Sequence, residues 1–362
     1  MKPVLFIVGA AIGHMGRSLE IARALEARAS VKIHFACLSG GPRFERLLLE
    51  PDYSVTPLPV FSLADNGASS ADRLEQLITE LKPKLIYCDL NPLPQLLLVR
   101  FPEIPRVFLV NSYETRLGCD VTVQDLMWEQ YGDEWNRLRE SRGLQPVENP
   151  RSFFDTDRVL LPDPPAIIGM PAESLPPGYI PVGPCIWDPP ASLPAELQDA
   201  HDLLLLSMGT TGINNLPLDA VQYIARLVGA SRTIRIGSID PGYGKHVEHY
   251  QWLPGSQVMP RCKFVLTQGG AGSTYQALRA GVPVACIPAH RNHVALAHRL
   301  LELEAGILLY QETWQQQLNE TPLDLNKLQA GARKLSTQME NIDGPGNAAA
   351  AMLDLIQSNS RV

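Results

Sequence analysis

The chain has 362 residues, 45% of them hydrophobic and 19% charged, with a formal net charge of −7. That balance describes an ordinary globular protein with room for two domains. It excludes a nucleic-acid partner, whose phosphates require a basic surface, and no stretch approaches the roughly 18 apolar residues of a membrane helix, so stable membrane insertion is excluded too.

The opening "MKPVLFIVGAAIG" imitates a secretion signal, but its apolar run is short and an amphipathic helix follows directly. The better reading is a first strand buried on both faces, and the expected location is the cytoplasm. "GRSLEIARALEAR" carries Leu19, Ile21, Ala22 and Leu25 close to helical spacing. "VKIHFAC" reads as a second strand, "LEQLITELK" as a helix, "PKLIYCD" as a strand ending in Asp89, and "PRVFLVN" as another strand. An aromatic-rich helix is expected from Val123 to Gly143. Between Pro162 and Pro194 lie eleven of the 31 prolines, a density that excludes helices and central strands; "GYIPVGP" inside it reads as a final strand. The α/β pattern then restarts. "DLLLLSMG" is a strand, "LDAVQYIARLVGA" a helix, "RTIRIGS" a strand, "KFVLTQGG" a strand before the helix "STYQALRAG", "VPVACIP" a strand, and "HVALAHRLLELEAG" a helix. "GPGNAAAAMLDLIQS" closes the chain as a helix. The expected architecture is α/β with two doubly wound, Rossmann-like domains and a cleft between them: residues 1–160, a proline-rich connection 161–200, residues 201–344, and a closing helix 345–362. Ligands of such sheets bind beyond the carboxyl ends of the strands. The six cysteines, at 37, 88, 119, 185, 262 and 286, form no CxxC pair and read as free thiols of a reducing compartment.

The glycine-rich turn after "KFVLT" asks for an anion. Gly269, Gly270 and Gly272 permit positive φ and close backbone approach, Ser273 and Thr274 are candidate helix caps, and the N–H groups of a helix N-terminus favour phosphate. A tight turn without a ligand has the same local pattern. The wider context carries more. "WLP", "VMP", "KFVLT", "QGGAGST", "YQALRAGVPVACIP" and "NH" follow in order from Trp252. With "GHMGRSLEIARAL" near the N-terminus, this resembles the inverting GT-B glycosyltransferases of the UDP-glycosyltransferase superfamily, bacterial members above all. The resemblance implies a nucleotide-sugar co-substrate and no cofactor or metal. It implies that Trp252 stacks on the base, that Gly269, Gly270, Gly272 and Ser273 cradle the pyrophosphate, and that Gly209 and Thr210 line the same phosphates. The chain departs from the pattern at three places: Gln268 replaces the pyrophosphate histidine, Gln276 the helix acid that holds ribose hydroxyls, and Asn292–His293 the Asp-Gln pair that holds sugar hydroxyls. A diphosphate donor is still implied, though not the usual UDP-glucose. Arg291, with His290 and His293, suits an acidic or phosphorylated donor or is a solvated loop charge.

His14 sits in a glycine-flanked loop at the carboxyl end of the first strand. By resemblance it is the general base that takes the acceptor's proton, a role suited to an imidazole near neutrality, and Asp89 is the carboxylate that orients it. Arg17, one turn on, either assists or is solvated. The acceptor pocket is expected from Phe61 to Asn66, from Asn111, Ser112 and Tyr113, and from Gln124, Trp128, Tyr131 and Trp135, which share one helix face and read equally as core packing. The expected acceptor is a small natural product or metabolite; a homodimer is left open. Two rival readings stand beside sugar transfer: a nucleotide-sugar epimerase or hydrolase on the same fold, and a non-catalytic partner protein.

Overall fold

The computed structural model describes residues 2–38, 52–59, 68–89, 96–115, 117, 122–149, 154, 156–209, 216–237 and 242–359. Two compact units form. The first comprises Met1–Asp163, Met170–Cys185 and Asp343–Val362; the second comprises Pro164–Gly169 and Ile186–Ile342.

The first unit is built on strands β1 (Val4–Val8), β2 (Ile33–Leu38), β3 (Ser54–Leu58), β4 (Leu85–Asp89), β5 (Arg106–Leu109), β6 (Arg158–Leu161) and β7 (Tyr179–Pro181). They form one parallel sheet in the order β3-β2-β1-β4-β5-β6-β7. β1 and β4 are buried along their whole length, as continuous apolar runs in a sheet covered on both faces require. The chain winds outward from β1 to β3 and restarts at β4, so the winding reverses between β1 and β4. There Val8 and Asp89 stand in register.

The helix Ile12–Arg28 buries Met15, Leu19, Ile21, Ala22 and Leu25, and the closing helix Gly344–Asn359 packs on it within the same unit. Asp343 starts that last helix by accepting the Gly346 N–H at 2.9 Å. Backbone crowds its first residue: a methyl group at Gly344 would lie 2.3 Å from the Pro184 carbonyl oxygen and 2.5 Å from that of Gly183.

The second unit repeats the scheme with β8 (Leu203–Ser207), β9 (Arg232–Ile236), β10 (Glu248–Tyr250), β11 (Cys262–Thr267), β12 (Val284–Cys286) and β13 (Gly306–Leu308). Their order is β10-β9-β8-β11-β12-β13, all parallel. Here the winding reverses between β8 and β11, with Ser207 and Thr267 in register at the carboxyl ends. The core is aliphatic: Leu204, Leu206, Val221, Ile224, Phe264 and Leu266 are essentially inaccessible. No described helix is long and apolar enough to cross a membrane. The described cysteines 37, 88, 185, 262 and 286 are buried thiols outside any disulfide; Cys119 lies outside the described residues.

The crowding at Gly344 sets an expectation. Gly344→Ala forces the closing helix off its seat and destabilises the protein by about 1–3 kcal/mol, measured by denaturant unfolding; an unchanged midpoint would contradict the tight seating.

Candidate active site

At the winding reversal of the first unit, the carboxyl ends of β1, β4, β5 and β6 carry a connected set of polar side chains. Asp89, the last residue of β4, is fully buried. Its carboxylate accepts from His14 Nδ1 at 2.7 Å, from Arg17 Nε at 2.7 Å and from Ser18 Oγ at 2.9 Å, and a second, very short bond comes from Arg17 Nη2. His14, Arg17 and Ser18 stand at i, i+3 and i+4 of one helix, the spacing that brings three side chains to one face. The helix begins at Ile12, so His14 lies within its first turn rather than in a preceding loop. Arg17 is 9% exposed and therefore a buried partner, not a solvated one. Its Nη1 donates to Asn111 Oδ1 at 2.8 Å, and Asn111 Nδ2 donates to Asp163 Oδ1 at 2.6 Å. The Ser112 N–H donates to Asp163 Oδ2 at 2.5 Å, and Ser18 Oγ lies 3.2 Å from Tyr87 Oη.

Electrostatics settles protonation. Burial alone raises the Asp89 pKa, but the Arg17 guanidinium and the His14 imidazole outweigh it and hold the carboxyl far below the usual range. An ionised carboxylate only accepts hydrogen bonds. The hydrogen in the His14–Asp89 bond therefore sits on Nδ1. The imidazole is about one-third exposed, so it can reach a partner beyond the protein. Burial also drives the Tyr87 hydroxyl well above its ordinary pKa, keeping it a neutral member of the set.

The second unit presents a neutral, amide-rich counterpart at its own winding reversal. Gly269 adopts φ +85° and Gly209 φ +67°. The helix Ala271–Arg279 is capped at Gly270 without any side-chain bond, so Ser273 and Thr274 are not its caps. Ser273 falls within the first turn, and its Oγ pairs instead with Ser207 Oγ at 2.7 Å across the strand ends; Thr274 is buried. Gly272 faces open space, whereas a methyl group at Gly269 would meet the His293 backbone oxygen at 3.1 Å. Gln268 is buried, with its amide oxygen 2.8 Å from where a Gly209 methyl would fall. His293 Nδ1 accepts the Ala289 N–H at 3.4 Å, and burial, helped by nearby His290, pushes this imidazole's pKa down to about 4. The His293 N–H in turn donates to Asn292 Oδ1 at 3.2 Å. Arg291 is exposed, and the Trp252 indole is 37% exposed. Gln276 donates to Trp187 and Asp188 of the proline-rich stretch, at 3.0 and 2.9 Å.

The aromatic face of the helix Val123–Ser141 packs locally. Trp135 lies 6.1 Å from Trp128 and 5.6 Å from Tyr131, ring centre to ring centre, and Trp135 packs with buried Leu97. Tyr113 is buried beside Ser112. Asn66 and the rest of 61–66, Thr210 and the side chain of Gln124 lie outside the described residues. Among the described residues no group of three or more His, Cys, Asp or Glu side chains could hold a metal ion. Sequence reasoning missed Ser18 and Asp163. The first was signalled by its i+4 spacing from His14; the second, two residues past the end of β6, had no local signal.

Two doubly wound, all-parallel sheets are the architecture of the GT-B fold. The comparisons agree. Residues 241–355 match the family model "Erythromycin biosynthesis protein CIII-like, C-terminal domain". A "PGL/p-HBAD biosynthesis glycosyltransferase" of Mycobacterium tuberculosis is 26% identical over 85% of this chain and 81% of the relative. The "O-mycaminosyltylonolide 6-deoxyallosyltransferase" of Streptomyces fradiae is 30% identical over 53% of this chain and 50% of the relative. The calicheamicin glycosyltransferase CalG4 shares the fold at TM-score 0.72 and 19% identity, covering 99% of both chains. The chain thus shares the GT-B fold over its whole length and is similar in sequence to bacterial natural-product glycosyltransferases.

The buried carboxylate makes the site's stability testable. Arg17→Met strands the Asp89 charge in the interior and costs about 3–5 kcal/mol, read by denaturant unfolding. Because the folded-state pKa of Asp89 lies below its ordinary value of 3.8, its contribution is complete above that pH and is lost as the pH falls further. Asp89→Asn removes this part of the acid dependence; an acid-unfolding curve of undiminished steepness would contradict it.

Proposed function

We propose that the protein transfers a sugar from a nucleoside diphosphate to a hydroxyl of a small-molecule acceptor, with inversion at the anomeric carbon and without a metal. His14 is the general base. Its Nε2 takes the acceptor proton while Nδ1–H stays bonded to Asp89, which stabilises the imidazolium as it forms. The acceptor oxygen bonds to the anomeric carbon as the bond from that carbon to the diphosphate oxygen breaks. The nucleoside diphosphate leaves with the bonding electrons. The observation that carries this reading is the 2.7 Å His14–Asp89 bond at a winding reversal, because it engages one ring nitrogen with a carboxylate and leaves the other for an acceptor.

The second unit supplies the donor site. The open N–H groups of the helix at Gly270–Ser273 take the diphosphate, where they also meet the charge that develops on the leaving group. Gly209 completes that cradle with Gln268, Gly269, Gly270, Gly272 and Ser273, Thr210 is assigned to it from the sequence resemblance alone, and Trp252 stacks on the base. Gln276 lies on the pentose side, and Arg291, Asn292 and His293 on the sugar side. Asn292 bonds hydroxyls without the charge of an acid and so suits a donor with fewer hydroxyls to hold. The Streptomyces fradiae relative's name points the same way, to a 6-deoxyhexose as donor class, and to a natural product as acceptor. On the acceptor side we assign Asn66, Tyr113, Trp128 and Tyr131.

A thermal-shift screen over UDP-, dTDP-, GDP- and ADP-sugars identifies the donor, since a ligand of the native state raises its melting point. With that donor, His14→Ala lowers turnover by about 10²–10⁴-fold while donor affinity stays at the wild-type value. Undiminished turnover would overturn the role of His14, and product with the donor's anomeric configuration would overturn inversion.

A further inference from the structure

We propose that Asp188 binds the pentose hydroxyls of the nucleotide donor, and that Gln276 is the residue that positions it. The inference rests on the reading of the second unit as the nucleotide site.

Asp188 lies in the proline-rich stretch, within the second unit, and is half-buried. Two independent donors fix its carboxylate. Gln276 Nε2 reaches Oδ1 at 2.9 Å, and the Ser256 N–H is shared by Oδ1 and Oδ2 at 3.2 Å each. Gln276 has no amide hydrogen left to give a ligand. Its two amide hydrogens go to Asp188 and to the Trp187 carbonyl at 3.0 Å, and its Oε1 presses on Gly255, where a methyl group would fall 2.3 Å away. The carboxylate, in contrast, keeps capacity. Two oxygens offer about four acceptor positions; Oδ1 serves Gln276 and part of Ser256, and Oδ2 serves only the rest of Ser256.

The position matches one part of a nucleoside diphosphate. Gln276 follows the first residue of its helix, Ala271, by five residues, or about 7.5 Å along the axis at the rise of an α-helix. The diphosphate occupies that helix N-terminus. On the other side the exposed indole of Trp252 precedes Gly255 by three residues. Between the phosphates and the base of a nucleotide come the hydroxyls of the pentose. An ionised carboxylate accepts from hydroxyls strongly and repels phosphate, so it also sets which end of the ligand lies where.

Calorimetry tests this with whichever of UDP, dTDP, GDP and ADP binds tightest and its analogue lacking the pentose hydroxyls. The wild type favours the hydroxyl-bearing ligand by about tenfold, the scale of one charge-assisted hydrogen bond. Asp188→Ala abolishes the preference by weakening that ligand alone. Gln276→Ala reduces it, and neither variant changes affinity for the analogue. Asp188→Asn, of the same shape, covers the case in which the alanine variant misfolds; it also lowers the preference. Equal weakening of both ligands, or an unchanged preference, would overturn the role of Asp188. If the wild type binds none of the four diphosphates, the nucleotide reading itself falls, and this inference with it.

Discussion

A fully buried carboxylate at the end of a strand is costly unless its surroundings answer the charge. Asp89 is such a group, and much of the first unit's polar architecture follows from satisfying it. Arg17 covers both of its oxygens, Ser18 adds a third donor, and His14 supplies the last from the half-open side. Once Arg17 is committed to Asp89, its remaining donor must be met, and Asn111 meets it; Asn111 is in turn held by Asp163. The chain of bonds crosses the ends of four adjacent strands. Its outermost member is the His14 imidazole, bonded through Nδ1. The placement of His14 is thus a consequence of how a buried charge is neutralised.

The second unit solves a different problem on the same topology. The strand ends at its reversal point carry glycines, paired serine hydroxyls and the open N-terminus of a helix. Main-chain N–H groups attract a phosphate and cost no reorganisation when its charge grows. His293 fits this setting, since burial keeps it neutral well below physiological pH. Under the proposed function the two sheets have separate roles: one orients a base, and the other holds the leaving group through backbone placement.

How much of this was legible in the sequence depends on burial. Strands covered on both faces, such as β1, β4, β8 and β11, are continuous apolar runs and read directly. The strands that escape a sequence reading have weaker signatures. β3 is half-exposed and contains Pro57, as edge strands do; β10 is the polar triplet Glu248–Tyr250; β6 runs into the proline-rich stretch that hides it. The helices Trp314–Glu320 and Leu325–Met339 escape it as well. His14 and Asp89 are legible because each directly follows or ends an apolar run. Arg17 is ambiguous, because nothing local tells a buried arginine from a solvated one; its partner lies 72 residues away. Asp163 and Asp188 are invisible for the same reason. Ser273 reads as a cap because serine is a good one, whereas the backbone at Gly270 starts the helix earlier.

The proposed mechanism turns on the His14 imidazole, held by Asp89 through a hydrogen on Nδ1. Nitrogen-15 NMR of the protein labelled at histidine, with His14→Gln used for assignment, reads the tautomer directly. The expected result is a neutral ring protonated at Nδ1 and bare at Nε2. A ring protonated at Nε2 alone would contradict it, because the nitrogen meant to accept the proton would already carry one.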